Sequence, residues 1–211
     1  MNLRVQEIFS SIQGESTRAG QRCTFVRLAG CPVQCVYCDT PEAQDPASGR
    51  DMPVEEVVKE VRHLGEPLVE ITGGEPLVQR PAVDILAVAL LEAGLPVMLE
   101  TSGCLSTRGL DGRIEMVMDV KTPGSGAALP LCERNLGILR PIDEIKFVIV
   151  DRADYEWSRR FVAEHDLDGL RAVHFSPAWG RLDPGVLAGW IRQDNPPVRF
   201  TLQLHKLLGV A

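Results

Sequence analysis

The chain has 211 residues, 45% hydrophobic and 24% charged, and a formal net charge of -7. That is the composition of one globular domain spanning residues 1–211, and its acidic balance leaves no electrostatic footprint for nucleic acid. The longest apolar run, Ile85–Leu91, is too short to span a bilayer, and MNLRVQEIF lacks the apolar core of a signal peptide. A cytoplasmic location without membrane contact follows as the expectation, and the six cysteines read as reduced thiols or metal ligands rather than disulfides.

In chain order, CTFVRLAG reads as a buried strand leading into a cysteine-rich loop. VEEVVKEVRHL has valines at helical spacing, with Asp51 as N-cap and Pro53 near the first turn. PLVEITGG is a strand ending in glycines, and AVDILAVALLEAG a helix that Gly94 stops. PVMLETSG and, after a short connection, EMVMDVKTPG are strands. The pairs DEIKFVIV with DYEWSRRFVAEH, and RAVHFSPAW with DPGVLAGWIR, read as strand then helix, and VRFTLQLHK as a last strand. Strands separated by helices imply right-handed crossovers and a parallel sheet, apolar on both faces. With six or seven strands, eight full units do not fit. The expected fold class is α/β, an incomplete (partial TIM-like) β/α barrel, with an open doubly wound sheet as the alternative. In either, function sits at the C-terminal ends of the strands. The unusual segments GCPVQCVYCDT, TGGEP, ETSG, DVKTPGSG and FSPAW all fall there.

GCPVQCVYCDT places Cys31, Cys35 and Cys38 on one loop. Thiolates bind soft metals and iron–sulfur clusters. Three thiolates on a cubane 4Fe–4S cluster leave one iron open for a ligand. Zinc is the rival: His63, His165, His174 or His205, or Cys23, Cys104 or Cys132, could complete a tetrahedral set. Those last three cysteines read otherwise as small buried hydrophobes. On the cysteines alone, cluster and zinc stand level.

Tyr37 before the third cysteine and TGGEP after the next strand separate them. Together, CxxxCxxC and GGEP on an α/β chain resemble the radical S-adenosylmethionine (SAM) superfamily. The resemblance implies a 4Fe–4S cluster on Cys31, Cys35 and Cys38 whose open iron chelates SAM. One-electron reduction then cleaves SAM to a 5′-deoxyadenosyl radical that takes a hydrogen atom from the substrate. It implies Gly73, Gly74 and Glu75 near the SAM amino group, and Glu100 and Ser102 on its ribose or carboxylate. Ser176, in FSPAW, joins the SAM-contacting candidates. GGEP is also a strand-to-helix turn with Pro76 opening the helix, and Glu100 or Ser102 could be ordinary loop caps.

EIFSSIQGES followed by AGQRCTFVRLAGC, with CDT, ITGGEP, ETSG and a terminal QLHK, resembles the 7-carboxy-7-deazaguanine synthase family over nearly the whole chain. That family converts 6-carboxy-5,6,7,8-tetrahydropterin to 7-carboxy-7-deazaguanine with loss of ammonia, in queuosine biosynthesis. The implied course is hydrogen abstraction from C6, rearrangement, return of the hydrogen and regeneration of SAM, with Mg²⁺ as an additional cofactor. Residue by residue, Ile12, Gln13 and Gly14 match the substrate segment, which is otherwise a glycine turn between two strands. Glu15 matches an acceptor for pterin N–H groups. Arg27 would fork onto the substrate carboxylate, with an internal salt bridge as the alternative. Thr72, Gln203, His205 and the carboxylate of Ala211 join the substrate set. Arg27, Glu15 and His205 are the catalytic candidates. Thr40 would ligate Mg²⁺, Asp39 would contact SAM, and Tyr37 would pack near the adenine or shield the cluster. Where the family pattern is Ser-Pro-Lys this chain has DVK, so Lys121 matches a SAM or substrate contact and Asp119 departs. Leu204 replaces the Thr of Gln-Thr-His-Lys. The resemblance also implies a homodimer and an electron donor such as flavodoxin or ferredoxin. The alternatives are a glycyl-radical-enzyme activase and a zinc-stabilised binding domain.

Overall fold

The computed structural model of the chain describes residues 1–210. Nine strands form one sheet in the order β3-β1-β2-β4-β5-β6-β7-β8-β9. They are β1 (Asn2–Ile12), β2 (Arg22–Leu28), β3 (Arg50–Pro53), β4 (Val69–Gly73), β5 (Val97–Thr101), β6 (Glu115–Asp119), β7 (Glu144–Ile149), β8 (Ala172–Pro177) and β9 (Arg199–Phe200). From β2 through β9, apart from β3, every pairing is parallel. β1 runs antiparallel to both β2 and β3. The sheet ends at β3 and β9, so the barrel is incomplete as expected.

The strand count of six or seven is corrected to nine. The seven parallel strands are those the sequence marks, while β1 and β3 are additional. β1 hides because its register shifts between Val5 and Glu7. Before the irregularity, Leu3 and Val5 face the core; after it Ile8 does, and Glu7 and Phe9 turn the other way. A bulge of this kind breaks the period-2 pattern that marks a strand. In β3, Asp51 pairs opposite Arg4 and lies 3.4 Å from its guanidinium, so it caps no helix; Pro53 occupies the N-cap of α1 (Val54–Leu64). VRFTLQLHK is not one strand either. β9 spans two residues, and Gln203 stands at the N-terminal boundary of a short helix, α5 (Leu204–Leu208).

Three more helices pack outside the sheet: α2 (Arg80–Glu92), α3 (Arg152–Glu164) and α4 (Pro184–Asp194). α1 buries Val54, Val57 and Val61 along one stripe, and ends where Gly65 takes a left-handed conformation and bonds Val61 O. α3 starts where the Asp151 carboxylate accepts from Asp154 N. The β5–β6 connection is made of turns and bends and the β6–β7 connection carries only short 3₁₀ turns, so the alternation of strand and helix fails there.

The expectation of strands apolar on both faces is also corrected. Outward residues such as Val26, Leu28, Ile71, Leu99, Ile145, Phe147 and Phe175 join two apolar clusters with the helices. The inward faces are apolar only deep in the barrel, where Cys23, Phe25, Leu68, Met98 and Val117 form a third cluster; toward the C-terminal ends they carry Arg27, Glu70, Thr72, Glu100, Asp119 and Lys146 instead. Among the described residues no helix is long and apolar enough to cross a membrane.

Candidate active site

At the C-terminal ends of the parallel strands the barrel opens into a cavity of about 530 Å³. Its rim is the loop after β2. Backbone bonds fix that loop at both ends: Gly30 N to Ala43 O (2.8 Å), Cys31 N to Gln44 O (3.0 Å), Val36 N to Ser125 O (2.9 Å) and Ala128 N to Val33 O (2.8 Å). Cys31, Cys35 and Cys38 are free thiols, partly exposed, and all three line the cavity. Burial pushes the Cys35 thiol up to about 11, against the pull of Lys121. Cys23 is buried in β2, and Cys104 and Cys132 stand outside the cavity wall. Among the described residues no three His, Cys, Asp or Glu side chains gather as around a single ion. Three thiolates that each take a different iron need no such common centre.

The glycines and Glu75 of TGGEP have structural duties first. Gly73 takes φ +136°, and a Cβ there would run into the backbone of Leu28; at Gly74 it would meet the backbones of Gly30 and Ala43. Both glycines therefore let β4 press against the cysteine loop while lining the cavity. Glu75 is fully buried and turned away from the cavity wall. Its carboxylate accepts from Leu77 N (3.1 Å), Thr101 Oγ1 (2.7 Å), Ser102 N (2.8 Å) and Ser102 Oγ (2.6 Å). It ties the end of β4 to the end of β5 and has no free lone pair for a ligand's amino group. Ser102 itself lines the cavity. Ser176 is buried on β8 outside the cavity wall, its hydroxyl unpartnered among the described residues.

The β1–β2 hairpin supplies the opposite wall. Ile12, Gln13, Gly14 and Glu15 all line the cavity. The buried Gln13 amide donates to the Glu70 carboxyl, and its oxygen accepts from Glu15 N at 3.0 Å. A Cβ at Gly14 would overlap the His205 ring, and Leu204 N bonds Gly14 O at 3.0 Å, so this glycine seats the C-terminal segment. Arg27 does have the internal salt bridge: Nε donates to Glu7 Oε1 at 2.7 Å. Its Nη1 also reaches Thr40 Oγ1 at 3.1 Å, and its guanidinium lies 5.5 Å from the Phe9 ring centroid. These bonds engage two of its N–H groups, leaving donors for a carboxylate. Asp39 sits between Thr40, His205 Nε2 (3.5 Å) and Lys206 Nζ (3.5 Å). Burial would raise its carboxyl, but His205, Lys206 and Lys146 hold it well below the usual carboxylate range. Ala211 lies outside the described residues.

The centre of the cavity is a charge network that the sequence reading missed. Lys146 Nζ donates to Glu15, to Glu100 Oε1 (2.5 Å) and to Asp119 Oδ2 (3.1 Å). Gln203 Nε2 holds the other oxygen of Glu15 at 2.8 Å, and Thr72 Oγ1 approaches the other oxygen of Glu100 at 3.4 Å. Burial alone would discharge Lys146, yet Asp119, Glu100 and Glu15 keep its proton bound well above the lysine range. Asp119 and Glu100 are drawn the other way: burial raises both, and the lysines more than reverse it. Glu70 is the exception. Burial and the neighbouring Glu100 raise its proton affinity well above the ordinary carboxylate value, opposite to Glu100 and Asp119. A lysine inside the apolar-looking DEIKFVIV was the available signal, since a buried ammonium needs anionic partners. Glu70 in PLVEITGG was the second.

Two buried polar atoms on the wall have no partner among the described residues: Asp119 Oδ1 and Tyr37 Oη. Asp119 Oδ2 is held by Lys121 at 2.9 Å, and that ammonium also lies 5.8 Å from the Tyr37 ring centroid. A free acceptor and a free hydroxyl beside three thiols fit a ligand rich in hydroxyl and amino groups, as SAM is. The surplus of carboxylates suits its sulfonium charge. The donor set therefore fits both the cluster and SAM.

The radical SAM superfamily profile matches residues 26–123. The 7-carboxy-7-deazaguanine synthase of Chlorobaculum tepidum is 42% identical over 209 residues, which cover 98% of this chain and 94% of that protein. The synthase of Koribacter versatilis is 39% identical over 220 residues, 98% of this chain and 96% of the relative. The crystal structure of QueE from Escherichia coli superimposes with a TM-score of 0.78 over 96% of this chain and 94% of that one; at 23% identity this speaks for the fold. With relatives matched over nearly their full length, the chain belongs to the 7-carboxy-7-deazaguanine synthase family of the radical SAM superfamily.

Proposed function

We propose that the cavity converts 6-carboxy-5,6,7,8-tetrahydropterin to 7-carboxy-7-deazaguanine, with the cysteine loop as its cofactor wall and the β1–β2 hairpin as its substrate wall. The observation that carries this reading is that both walls line one cavity and meet at Lys146. When bound, the cluster and SAM supply a hydrogen-abstracting 5′-deoxyadenosyl radical. The chain's own residues bind, orient and exclude water.

On the cofactor wall, Cys31, Cys35 and Cys38 hold the cluster. The backbone at Gly73 and Gly74, with Glu100, Ser102, Asp119, Lys121 and Asp39, receives SAM, and Tyr37 packs beside it. On the substrate wall, the free donors of Arg27 take the pterin carboxylate. Glu15, Thr72, Gln203 and His205 face its hydrogen-bonding edge, while Gln13 and Gly14 shape the pocket through Glu70 and His205. Thr40, hydrogen-bonded to Arg27, would be the protein's hard-oxygen ligand for Mg²⁺. A one-electron donor such as flavodoxin or ferredoxin supplies the reducing electron, and the active form is a cytoplasmic homodimer.

Anaerobic incubation of the reconstituted, reduced enzyme with SAM, Mg²⁺ and the carboxytetrahydropterin tests the substrate. The expected result is 7-carboxy-7-deazaguanine with release of ammonia. SAM-dependent reactivity without that product would overturn the substrate reading and leave the superfamily chemistry standing.

A further inference from the structure

Lys146 lies on the inward face of β7, with its side chain 6% exposed. An ammonium has three N–H donors, and here they meet three carboxylates from three elements: Glu15 of the hairpin loop, Glu100 of β5 and Asp119 of β6. A compact ammonium with diverging donors suits three separate acceptors, whereas the planar fork of arginine suits one. Glu15 stands on the wall assigned to substrate, and Glu100 and Asp119 on the wall assigned to SAM.

We propose that Lys146 is a positioning residue that couples the two walls, holding Glu15, Glu100 and Asp119 in register so that seating one ligand prepares the site for the other. This rests on the reading of the cavity given above. The charged and titratable groups around the ammonium come from every neighbouring element. They are Glu15 on the hairpin, Glu70 on β4, Glu100 on β5 and Asp119 with Lys121 at the end of β6. Glu144 lies on β7 itself, His174 opposite on β8, and Asp39, His205 and Lys206 beyond. Of these, His174 and Glu144 bond each other at 2.7 Å, and Lys121 bonds Asp119. No second cation among them bonds Glu15 or Glu100, whose other contacts are the neutral Gln203 and Thr72, so both take their bonded positive charge from Lys146.

The test compares Lys146→Met, Lys146→Arg and Glu15→Gln with the parent enzyme, each reconstituted anaerobically. Lys146→Met should lower product formation about 100-fold, equivalent to about 2.7 kcal/mol, because it leaves buried carboxylates without their cation. It should release 5′-deoxyadenosine without matching product. Glu100 and Asp119, deprived of the ammonium that holds them low, should titrate closer to neutral pH, so ligand affinity should fall as pH drops over a range where the parent is flat. Lys146→Arg should restore the pH profile and only part of the rate. Should Lys146→Met fail to fold, Glu15→Gln decides. It touches the substrate wall, yet it should weaken SAM binding about fivefold in the absence of pterin, a coupling of about 1 kcal/mol. A Lys146→Met that merely melts earlier, with the parent's pH profile and product-to-SAM ratio, would overturn the proposal. So would a Glu15→Gln with unaltered SAM affinity. Absence of deazaguanine product from the parent would strike the substrate reading alone, because the SAM-binding comparison needs no pterin.

Discussion

The two faces of the same strands follow opposite rules. On β7 the outward residues Ile145, Phe147 and Ile149 are buried among Tyr155, Val162, Phe175 and Leu187, and Phe147 makes edge-on contacts with Trp157, Phe161 and Phe175 at 5.5 to 6.3 Å. Interdigitated packing of this sort supplies stability and tolerates little change of volume. One residue along, Lys146 is just as buried but surrounded by carboxylates. Ion pairs removed from water contribute little net stability against apolar packing, yet breaking one is costly. The outer face therefore holds the fold and the inner face holds charges in place for ligands. Glu75 stands at the seam, binding two strand ends together just outside the cavity.

That contrast can be broken from either side. The largest effect is expected at the cysteine loop. Cys31→Ala should abolish the brown iron–sulfur absorption and all SAM cleavage, while its melting temperature without cofactor stays within a few degrees of the parent, as for a partly exposed loop residue. On the outer face Phe147→Ala should cost about 3–5 kcal/mol, much of the usual stability of a domain, with chemical denaturation as the measure. Next comes Arg27→Met. It should raise the pterin KM about 10- to 100-fold, matching 1.5–3 kcal/mol for bonds to a charged group, while cluster content and SAM binding persist. Loss of folding there would mean that the Glu7 salt bridge is its whole role. Glu75→Gln places an amide donor against the donors of Thr101 and Ser102. It should cost about 2 kcal/mol in denaturation with the KM for SAM nearly unmoved, which places the seam with the outer face.

The smallest effect concerns Glu70. Its folded-state affinity for a proton is raised above the ordinary 4.5, first by burial and then by Glu100. The stability it contributes is complete below that ordinary value and is lost as pH climbs toward the raised one. The melting temperature of the parent should therefore decline across this acid-to-neutral window. Glu70→Gln mimics the protonated form, so it should flatten the decline and shift stability by less than about 1 kcal/mol.

The contrast also explains what the sequence discloses. Six of the parallel strands and four helices are legible because their outward residues obey one periodicity from end to end, whereas β9 keeps only two residues of its apolar run. β1 escapes because a bulge exchanges its faces after Val5, and β3 because RDMP is short, polar and resembles a helix start. The cysteine loop is legible because ligand spacing is local. Lys146, Glu70 and Asp119 are not, since their meaning lies in one another and in Glu15, Glu100 and Gln13, partners 27 to 131 residues away along the chain. Glu75 shows the converse. A motif residue that resemblance places on a ligand here offers no acceptor to the cavity, because four protein donors already surround it.

The most direct measurement of the central claim, that both walls serve one ligand pair, is anaerobic turnover of carboxytetrahydropterin deuterated at C6. Abstraction and return within one cavity predict 7-carboxy-7-deazaguanine formed with SAM intact and deuterium passing into the SAM pool. Product that forms while SAM stays free of label, or 5′-deoxyadenosine that accumulates without product, would contradict it.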